Sequence, residues 1–542
     1  MTASRTPGRH EHVYDVAIVG AGFSGLYMLH RARNVLGLDA VVFEAGAGVG
    51  GTWYWNRYPG ARCDSESYYY SYSFSEELEQ EWEWTSKYPE QPEILRYLDH
   101  VADRFDLRRD IRLETRVDGA RFDEATGRWI VRTDAGEEVA AQFLVSAVGC
   151  LSAANVPQMP GLDRFGGEWY HTGRWPHEGV DFTGKRVGLI GTGSTGIQAT
   201  PVIAAQAHHL TVFQRTPNYT VPARNAPLDP ERAAEIKSTY PAIREHARNS
   251  YGGFPFDPSH RSALEVSAEE RRDTYEQLWA EGGFKFLFGS FYDLLINEEA
   301  NKTASEFIRG KIREIVRDPE VAETLAPTDH PYGSKRPPID TDYFETFNRD
   351  NVSLVDLRAD PIEEITERGV RTAAEEHALD VIVFATGFDA MTGALLKMDI
   401  RGRDDRSLRD KWADGPRSYL GLQVAGFPNL FTITGPGSPS VLSNMPVSIE
   451  QHVEWISDCI THLRDTGGTT IEATTDAEDA WVDHVAEIAD LTLFSKANSW
   501  YLGANIPGKK RVFMPYVGGV ANYRQRCDEV VARGYEGFAI SA

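Results

Sequence analysis

The chain has 542 residues, 41% of them hydrophobic and 25% charged, and a formal net charge of −24. That length exceeds one ordinary core and implies two or three domains, while the acidity argues against nucleic acid or an anionic membrane as partner. MTASRTPGRHEH lacks an apolar targeting core, no run of about 18 apolar residues follows, and Cys63, Cys150, Cys459 and Cys527 form no CxxC pair; a cytoplasmic protein with reduced thiols and no metal is expected.

In chain order, DVAIVG reads as a buried parallel strand, an apolar run closed by glycine. GAGFSG follows, with Gly20, Gly22, Ser24 and Gly25 in a GxGxxG turn, then a helix through LYMLHRARNVL and a strand AVVFEA ending in Glu44. Gly20 permits the tight turn, Gly22 lets backbone approach a pyrophosphate, and Gly25 lets helix pack on strand. Glu44, 19 residues past Gly25, can accept from both ribose hydroxyls of an adenosine, which suits FAD. ARFDEATGRWIVRTDAGEEVAAQ reads as a small β-meander turning at ATG and DAG, and FLVSAVG as an outgoing buried strand. FGGEWYHTGRWPHEG, with Phe165, Gly167, His171, Trp175 and Pro176, reads by composition as an aromatic-rich loop.

A second unit repeats the first. KRVGLIG is the strand, Gly191, Thr192, Gly193, Ser194, Thr195 and Gly196 form the turn, IQATPVIAAQA, with Gln198, is the helix, and LTVFQR ends in Arg215, again 19 residues past the last glycine. A carboxylate there would repel a 2′-phosphate, whereas a guanidinium binds it with charge-assisted hydrogen bonds and Thr216 adds a hydroxyl. The arginine unit therefore suits NADP. From about 225 to 330 the pattern is helical: Ser267 and Glu270 have capping-box spacing, and Phe307, Ile308, Ile312 and Ile315 follow helical periodicity. This reads as a helical subdomain that helps wall the site, with structural support alone as the equal alternative. LDVIVFATGFD is a further buried strand, where the chain re-enters the flavin domain.

The expected fold class is α/β, with two Rossmann-like dinucleotide-binding domains, the NADP domain inserted in the FAD domain, and a helical subdomain. The expected boundaries are 1–150 and 385–542 for the FAD domain, 151–224 and 333–384 for the NADP domain, and 225–332 for the helices.

The aromatic stretch between the two glycine motifs has the order F-x-G-x-x-x-H-x-x-x-W-P and resembles the fingerprint of type I Baeyer–Villiger monooxygenases. GGTWYWNRYPGARCDSES, SKRPP, ATGFD, GPGSPS and SWYLGANIPGK extend the resemblance from about residue 14 to the C-terminus, most closely to members acting on phenylacetone, steroid ketones and cyclohexanone. The resemblance implies FAD, NADPH and O2 as reactants, a flavin C4a-peroxide as oxidant, and conversion of a ketone to an ester or lactone. It assigns Arg336 as the cation favouring the anionic peroxide and the oxyanion, Asp64 as the carboxylate that holds it, and Lys335 as a contact of the 2′-phosphate. Pro337 and Pro338 would stiffen this loop. By residue type alone Lys335 and Arg336 are an exposed basic pair. Gly51, Thr52, Trp53, Trp55, Tyr70 and Val117 match FAD contacts, and Trp500 matches a tryptophan on a mobile loop over NADP that excludes water. Cys150, Ser440, Val441, Leu442 and Met445 are candidate pocket residues. His171 is expected to couple the interdomain linker to cofactor positioning rather than to act chemically.

The nearest alternative is a flavin-containing monooxygenase oxidising nitrogen or sulfur centres, which shares both nucleotide units; Trp175–Pro176 and the Asp64/Arg336 pair weigh against it. No redox cysteine pair follows the first motif, against a disulfide reductase, and the intact second motif argues against a non-catalytic nucleotide-binding protein. A monomer or weak homo-oligomer is expected.

Overall fold

The computed structural model describes residues 12–542; apart from His12, the stretch read for a targeting signal lies outside them. No helix among the described residues is long and apolar enough to cross a membrane.

The first sheet starts with β1 (Val13–Val19), whose Val16, Ala17 and Ile18 have no exposed surface. Burial on both faces is why this strand reads as a continuous apolar run. The helix after it spans Phe23–Leu29 and continues as a wider π-type turn over His30–Val35. β2 (Ala40–Phe43) and β3 (Ile111–Arg112) extend the sheet on one side. β4 (Val117–Asp123), β5 (Arg128–Thr133) and β6 (Glu138–Ser146) form the antiparallel meander. The last meander strand and the outgoing FLVSAVG strand are one: β6 pairs antiparallel with β5 through its first half and parallel with β1 along most of its length.

The second sheet begins inside the aromatic stretch, where β7 (Glu168–His171) is a strand rather than a loop. Burial rises steadily along it, from exposed Glu168 and Trp169 to buried His171, with no period-2 alternation, so the sequence carried no strand signal there. β8 (Arg186–Ile190) leads through the second glycine turn into the helix Ser194–Gln206 and back to β9 (His209–Gln214). The short β10 (Val221–Pro222) follows, then the helices Pro230–Asn249, Ala268–Glu281 and Glu298–Ile315. Ser267 caps the second of these, its hydroxyl accepting from the Glu270 N–H at 3.1 Å.

The chain returns through β11 (Ile339–Asp340), which pairs with β10, and β12 (Val352–Asp356). A three-stranded antiparallel flap, β13 (Ile362–Thr366), β14 (Gly369–Thr372) and β15 (Glu376–Ala378), precedes β16 (Val381–Phe384). The second sheet is parallel, in the order β12-β9-β8-β16-β7. LDVIVFATGFD thus supplies the inner β16 of this sheet, and the chain leaves it only after Phe384. β17 (Asp399–Arg401) then pairs with β4, and β18 (Leu430–Thr432) pairs with β6 where β5 ends, completing the first sheet as β17-β4-β5-β6-β1-β2-β3.

Two connections join the sheets, residues 150–155 and 386–391, and they bind each other. Asn155 N–H donates to the Gly387 carbonyl at 2.9 Å, Asp389 N–H to Ala153 at 2.8 Å and Met391 N–H to Cys150 at 2.8 Å.

Candidate active site

Both glycine turns lie at the carboxyl ends of parallel strands, where an open α/β sheet leaves a crevice. Gly20 has φ +104°, and a Cβ on Gly25 would stand 1.8 Å from the Gly20 carbonyl oxygen. The second unit repeats this, with Gly191 at φ +113° and a Cβ on Gly196 at 2.0 Å from the Gly191 oxygen. No side chain fits at Gly25 or Gly196. The middle glycines behave differently: a Cβ on Gly22 would meet Gly51 Cα at 3.3 Å, whereas one on Gly193 would find nothing within 4 Å. The first turn is roofed by the GGTWYWN segment and the second is open.

Glu44, 5% exposed, accepts from Ala21 N–H at 2.8 Å on one oxygen and from Gly46 N–H at 2.7 Å on the other. Burial raises its pKa, and these backbone donors and Arg116 oppose the rise. Each oxygen keeps a lone pair for a ribose hydroxyl. Ser24 is buried in the first helical turn, and Thr52 and Trp55 sit exposed and half-buried on the short helix Thr52–Trp55. Trp53, on the same helix, donates from Nε1 to the Tyr70 hydroxyl at 3.2 Å. Val117 opens β4, two residues after Thr115, whose N–H donates to the Glu44 carbonyl at 2.8 Å. This cradle of acceptor carboxylate, glycine turn and aromatic wall fits a flavin dinucleotide.

At the second turn Thr192 donates to the Thr216 carbonyl at 2.9 Å, tying the glycine loop to the end of β9. Ser194 and Thr195 are half-buried at the helix start, and Arg215 is exposed. Among the described residues, Arg215 and Lys335 make no side-chain hydrogen bond or ion pair. Burial lowers the Lys335 pKa; Asp329 opposes this, and Arg215 and Arg358 add to it. Arg358 was not singled out from sequence. It follows Leu357, whose N–H donates to the Gln214 carbonyl at 2.8 Å, so the β9–β12 pairing sets it beside Arg215. Arg358 is paired with Asp356 at 3.4 Å, whereas Arg215 and Lys335, beside an open glycine turn, are left without a carboxylate partner among the described residues, which fits a nucleotide carrying an extra phosphate. Gln198, expected at the cofactor, spends its amide on the other domain: Nε2 donates to the Arg62 carbonyl at 3.1 Å and Oε1 accepts from the Tyr58 hydroxyl at 2.8 Å.

Asp64 and Arg336 meet between the two crevices. The guanidinium donates to the carboxylate through Nε at 3.1 Å and Nη2 at 2.9 and 3.0 Å, and through Nη1 to the Val441 carbonyl at 2.7 Å. Its face lies 5.1 Å from the Phe284 ring centre. Burial acts most strongly, to lower the Arg336 pKa, but the Asp64 charge and hydrogen bonds together with Tyr501 and Cys63 outweigh it and the net shift is upward. Arg336 also stands on the wall of a tight, largely apolar cavity lined by Phe254, Phe284, Phe288, Leu295, Phe494 and Tyr501 among others. Tyr251, Phe254, Phe284, Leu287 and Phe288 of the inserted segment contribute to this lining; these residues were missed, although YGGFPF and FKFLF are visible aromatic clusters.

Of the candidate pocket residues, Val441 and Leu442 line this cavity. Cys150 lies in the apolar cluster behind them, with Met445 packed against it, and Ser440 is fully buried. Trp500 stacks beside Tyr501, ring centres 4.3 Å apart. Its segment is tied to the second connection: Lys509 Nζ pairs with Asp389 at 2.5 Å, and Asn505 Nδ2 donates to the Phe388 carbonyl at 2.7 Å. His171 touches both connections' junction, its Nε2 3.2 Å from the Thr386 hydroxyl, which donates to the Asn155 carbonyl at 2.6 Å. Burial pulls its pKa down to about 4, and the structure keeps it away from Arg336's cavity wall.

The family model described as flavin-binding monooxygenase-like matches residues 13–224. A Baeyer–Villiger monooxygenase of Pseudooceanicola batsensis is 50% identical over 96% of this chain and 95% of its own. A phenazine N-monooxygenase of Lysobacter antibioticus is 47% identical over 97% of both chains. Among solved structures, an oxidised steroid monooxygenase bound to NADP superposes with a TM-score of 0.94 at 57% identity, covering 98% of this chain and all of that one.

Proposed function

Because this chain belongs to the type I Baeyer–Villiger monooxygenases, we propose duties for its residues within that family's reaction. The protein is a flavoprotein monooxygenase that uses FAD, NADPH and O2 to convert ketones to esters or lactones. FAD, when bound, supplies the oxygen activation that amino-acid side chains cannot.

Arg336 is the permanent cation of the site and stabilises the negative charge that grows on the ketone oxygen as its carbon becomes tetrahedral. Arginine suits this because it stays charged at every working pH and its planar fork can be fixed by one carboxylate. Asp64 does the fixing. Glu44 holds the adenosine ribose of FAD, and Gly20, Gly22 and Gly25 admit its pyrophosphate. Gly191, Gly193 and Gly196 do the same for NADPH, whose 2′-phosphate is taken by Arg215, Thr216 and Lys335. Trp500 and Tyr501 shield the cavity from water, and His171 keeps the two connections in register.

The apolar cavity takes the hydrocarbon body of the ketone, and its aromatic wall favours aryl and alicyclic bodies over short aliphatic ones. Residues 1–150 and 385–542 serve as the FAD domain, 151–224 and 333–384 as the NADP domain, and 225–332 as the wall. Four buried free cysteines support a reducing, cytoplasmic setting.

The observation that carries this reading is a guanidinium, clamped by Asp64, on the wall of an apolar cavity. Similarity to the phenazine N-monooxygenase favours a second reading, oxidation of a ring nitrogen. The test is product analysis with purified protein, NADPH, isotope-labelled O2 and a panel of aryl, cyclic and steroid ketones, a sulfide and a phenazine. Ester or lactone carrying one labelled oxygen is expected; N-oxide or sulfoxide without ester would replace the first reading by the second.

A further inference from the structure

A path of hydrogen bonds and short backbone links runs from the middle of the helix Met445–Thr466 to the back of Arg336. His452 lies on that helix with no exposed surface. Its Nδ1 accepts from the Thr434 N–H at 2.9 Å, so the ring proton is on Nε2. Nε2 donates to the Tyr523 hydroxyl at 2.9 Å, and that hydroxyl donates to the Leu420 carbonyl. The ring is thereby fixed at both nitrogens.

Thr434, held from below, has φ +55°, and its carbonyl accepts from the Ser440 hydroxyl at 3.1 Å and the Cys150 thiol at 3.4 Å. Ser440 has φ +43°. Two non-glycine residues in the left-handed region are strained, so the segment between them needs these bonds to keep its shape. The carbonyl after Ser440, that of Val441, accepts from Arg336 Nη1 at 2.7 Å. Asp64 engages Nε and Nη2 only. The direction of the guanidinium is thus set from two sides.

We propose that His452 is a positioning residue for Arg336: through Thr434 and Ser440 it fixes the segment that brings the Val441 carbonyl onto the guanidinium. This rests on the role given to Arg336 above. Burial depresses the His452 pKa to about 3, which keeps the ring a neutral acceptor for Thr434.

The test compares His452→Leu, His452→Gln, Ser440→Ala and Arg336→Ala as FAD-loaded proteins. Three quantities are read: bound FAD, the anaerobic rate of flavin reduction by NADPH, and ester formed per NADPH consumed. His452→Leu removes both ring hydrogen bonds; it should keep the first two within about twofold and lower the third about five- to tenfold, the effect of losing the one that holds Thr434. His452→Gln, whose amide can accept from Thr434 and donate to Tyr523, should restore most of it, and Ser440→Ala should share the defect. A purely structural role would lower FAD content or reduction in step with ester. Unchanged ester yield in FAD-loaded His452→Leu overturns the proposal. Should that variant hold no FAD, Ser440→Ala decides in the same way. Ester from Arg336→Ala at the wild-type rate would instead sink the role of Arg336 itself.

Discussion

Asp64 and Arg336 stand 272 residues apart in sequence, yet the carboxylate takes hydrogen bonds of 3.1, 2.9 and 3.0 Å from the guanidinium. The side chains are only 20% and 24% exposed. At that burial the pair's net contribution to stability is small, because desolvation offsets attraction, but breaking it is costly. Its value is directional. Arg336→Ala should therefore bind FAD and accept hydride normally while ester formation falls by about 10²-fold or more. Stopped-flow reduction and gas chromatography of the product separate the two. Asp64→Ala should be worse for folding than Asp64→Asn: both leave the cation's charge unpaired, but only Asn keeps an oxygen that accepts from the guanidinium.

The proposed contact of Arg215 with the 2′-phosphate predicts that it governs the choice of nicotinamide. Losing one charge-assisted contact to a 2′-phosphate costs roughly 1.5–3 kcal/mol, or about 10- to 150-fold in affinity. Arg215→Ala should raise the NADPH KM by that order and leave the NADH KM within about twofold. Steady-state kinetics with both cofactors checks this, and an unchanged NADPH/NADH ratio would remove Arg215 from the site.

The glycines separate packing from ligand approach. Gly25→Ala would force Cβ to 1.8 Å from a backbone oxygen, so the purified variant should be colourless or insoluble. Gly193→Ala meets no protein atom within 4 Å and should stay yellow and fold normally. Its NADPH KM should nonetheless rise about tenfold or more if a pyrophosphate lies against that backbone. A normal KM would mean that the nucleotide runs elsewhere.

Asp340 is 7% exposed, accepts from the Thr220 hydroxyl and from Tyr343 N–H at 3.3 Å, and has its pKa pushed up to about 7 by burial. A raised folded-state pKa gives stability that is complete below the ordinary value near 3.8 and lost as pH rises through about 7. Asp340→Asn should therefore raise Tm at pH 8 and leave it unchanged near pH 4, with a ceiling on the order of 4 kcal/mol. His171 and His452 run the other way. Their pKa values fall to about 4 and about 3, so their stability is present above 6.5 and lost as pH falls below it. Thermal melts across pH 4–8 test both limbs; a pH-independent Asp340→Asn difference would contradict the first.

Both nucleotide units could be read directly because their information is local. A strand, a glycine turn and a helix each bury a face within about 30 residues, and the position of Glu44 or Arg215 follows from counting. The β7 strand was hidden because four residues are too few for periodicity to emerge from Trp, Tyr and His neighbours. Gln198 carried no mark distinguishing a ligand contact from a contact with Tyr58 and Arg62. Arg358 lies beside Arg215 only through the β9–β12 pairing, across more than a hundred residues of helical insertion.

The sequence by itself determined the α/β class and the two glycine-turn units, and proposed a free ribose at one and a 2′-phosphate at the other, since each depends on residues close in the chain. Resemblance alone paired Asp64 with Arg336; only the tertiary structure decided the geometry of that pair, the Val441 carbonyl that joins it and the aromatic wall around it. Those groups come from distant parts of the chain, and what places them is the packing of two sheets and an insertion around one cavity.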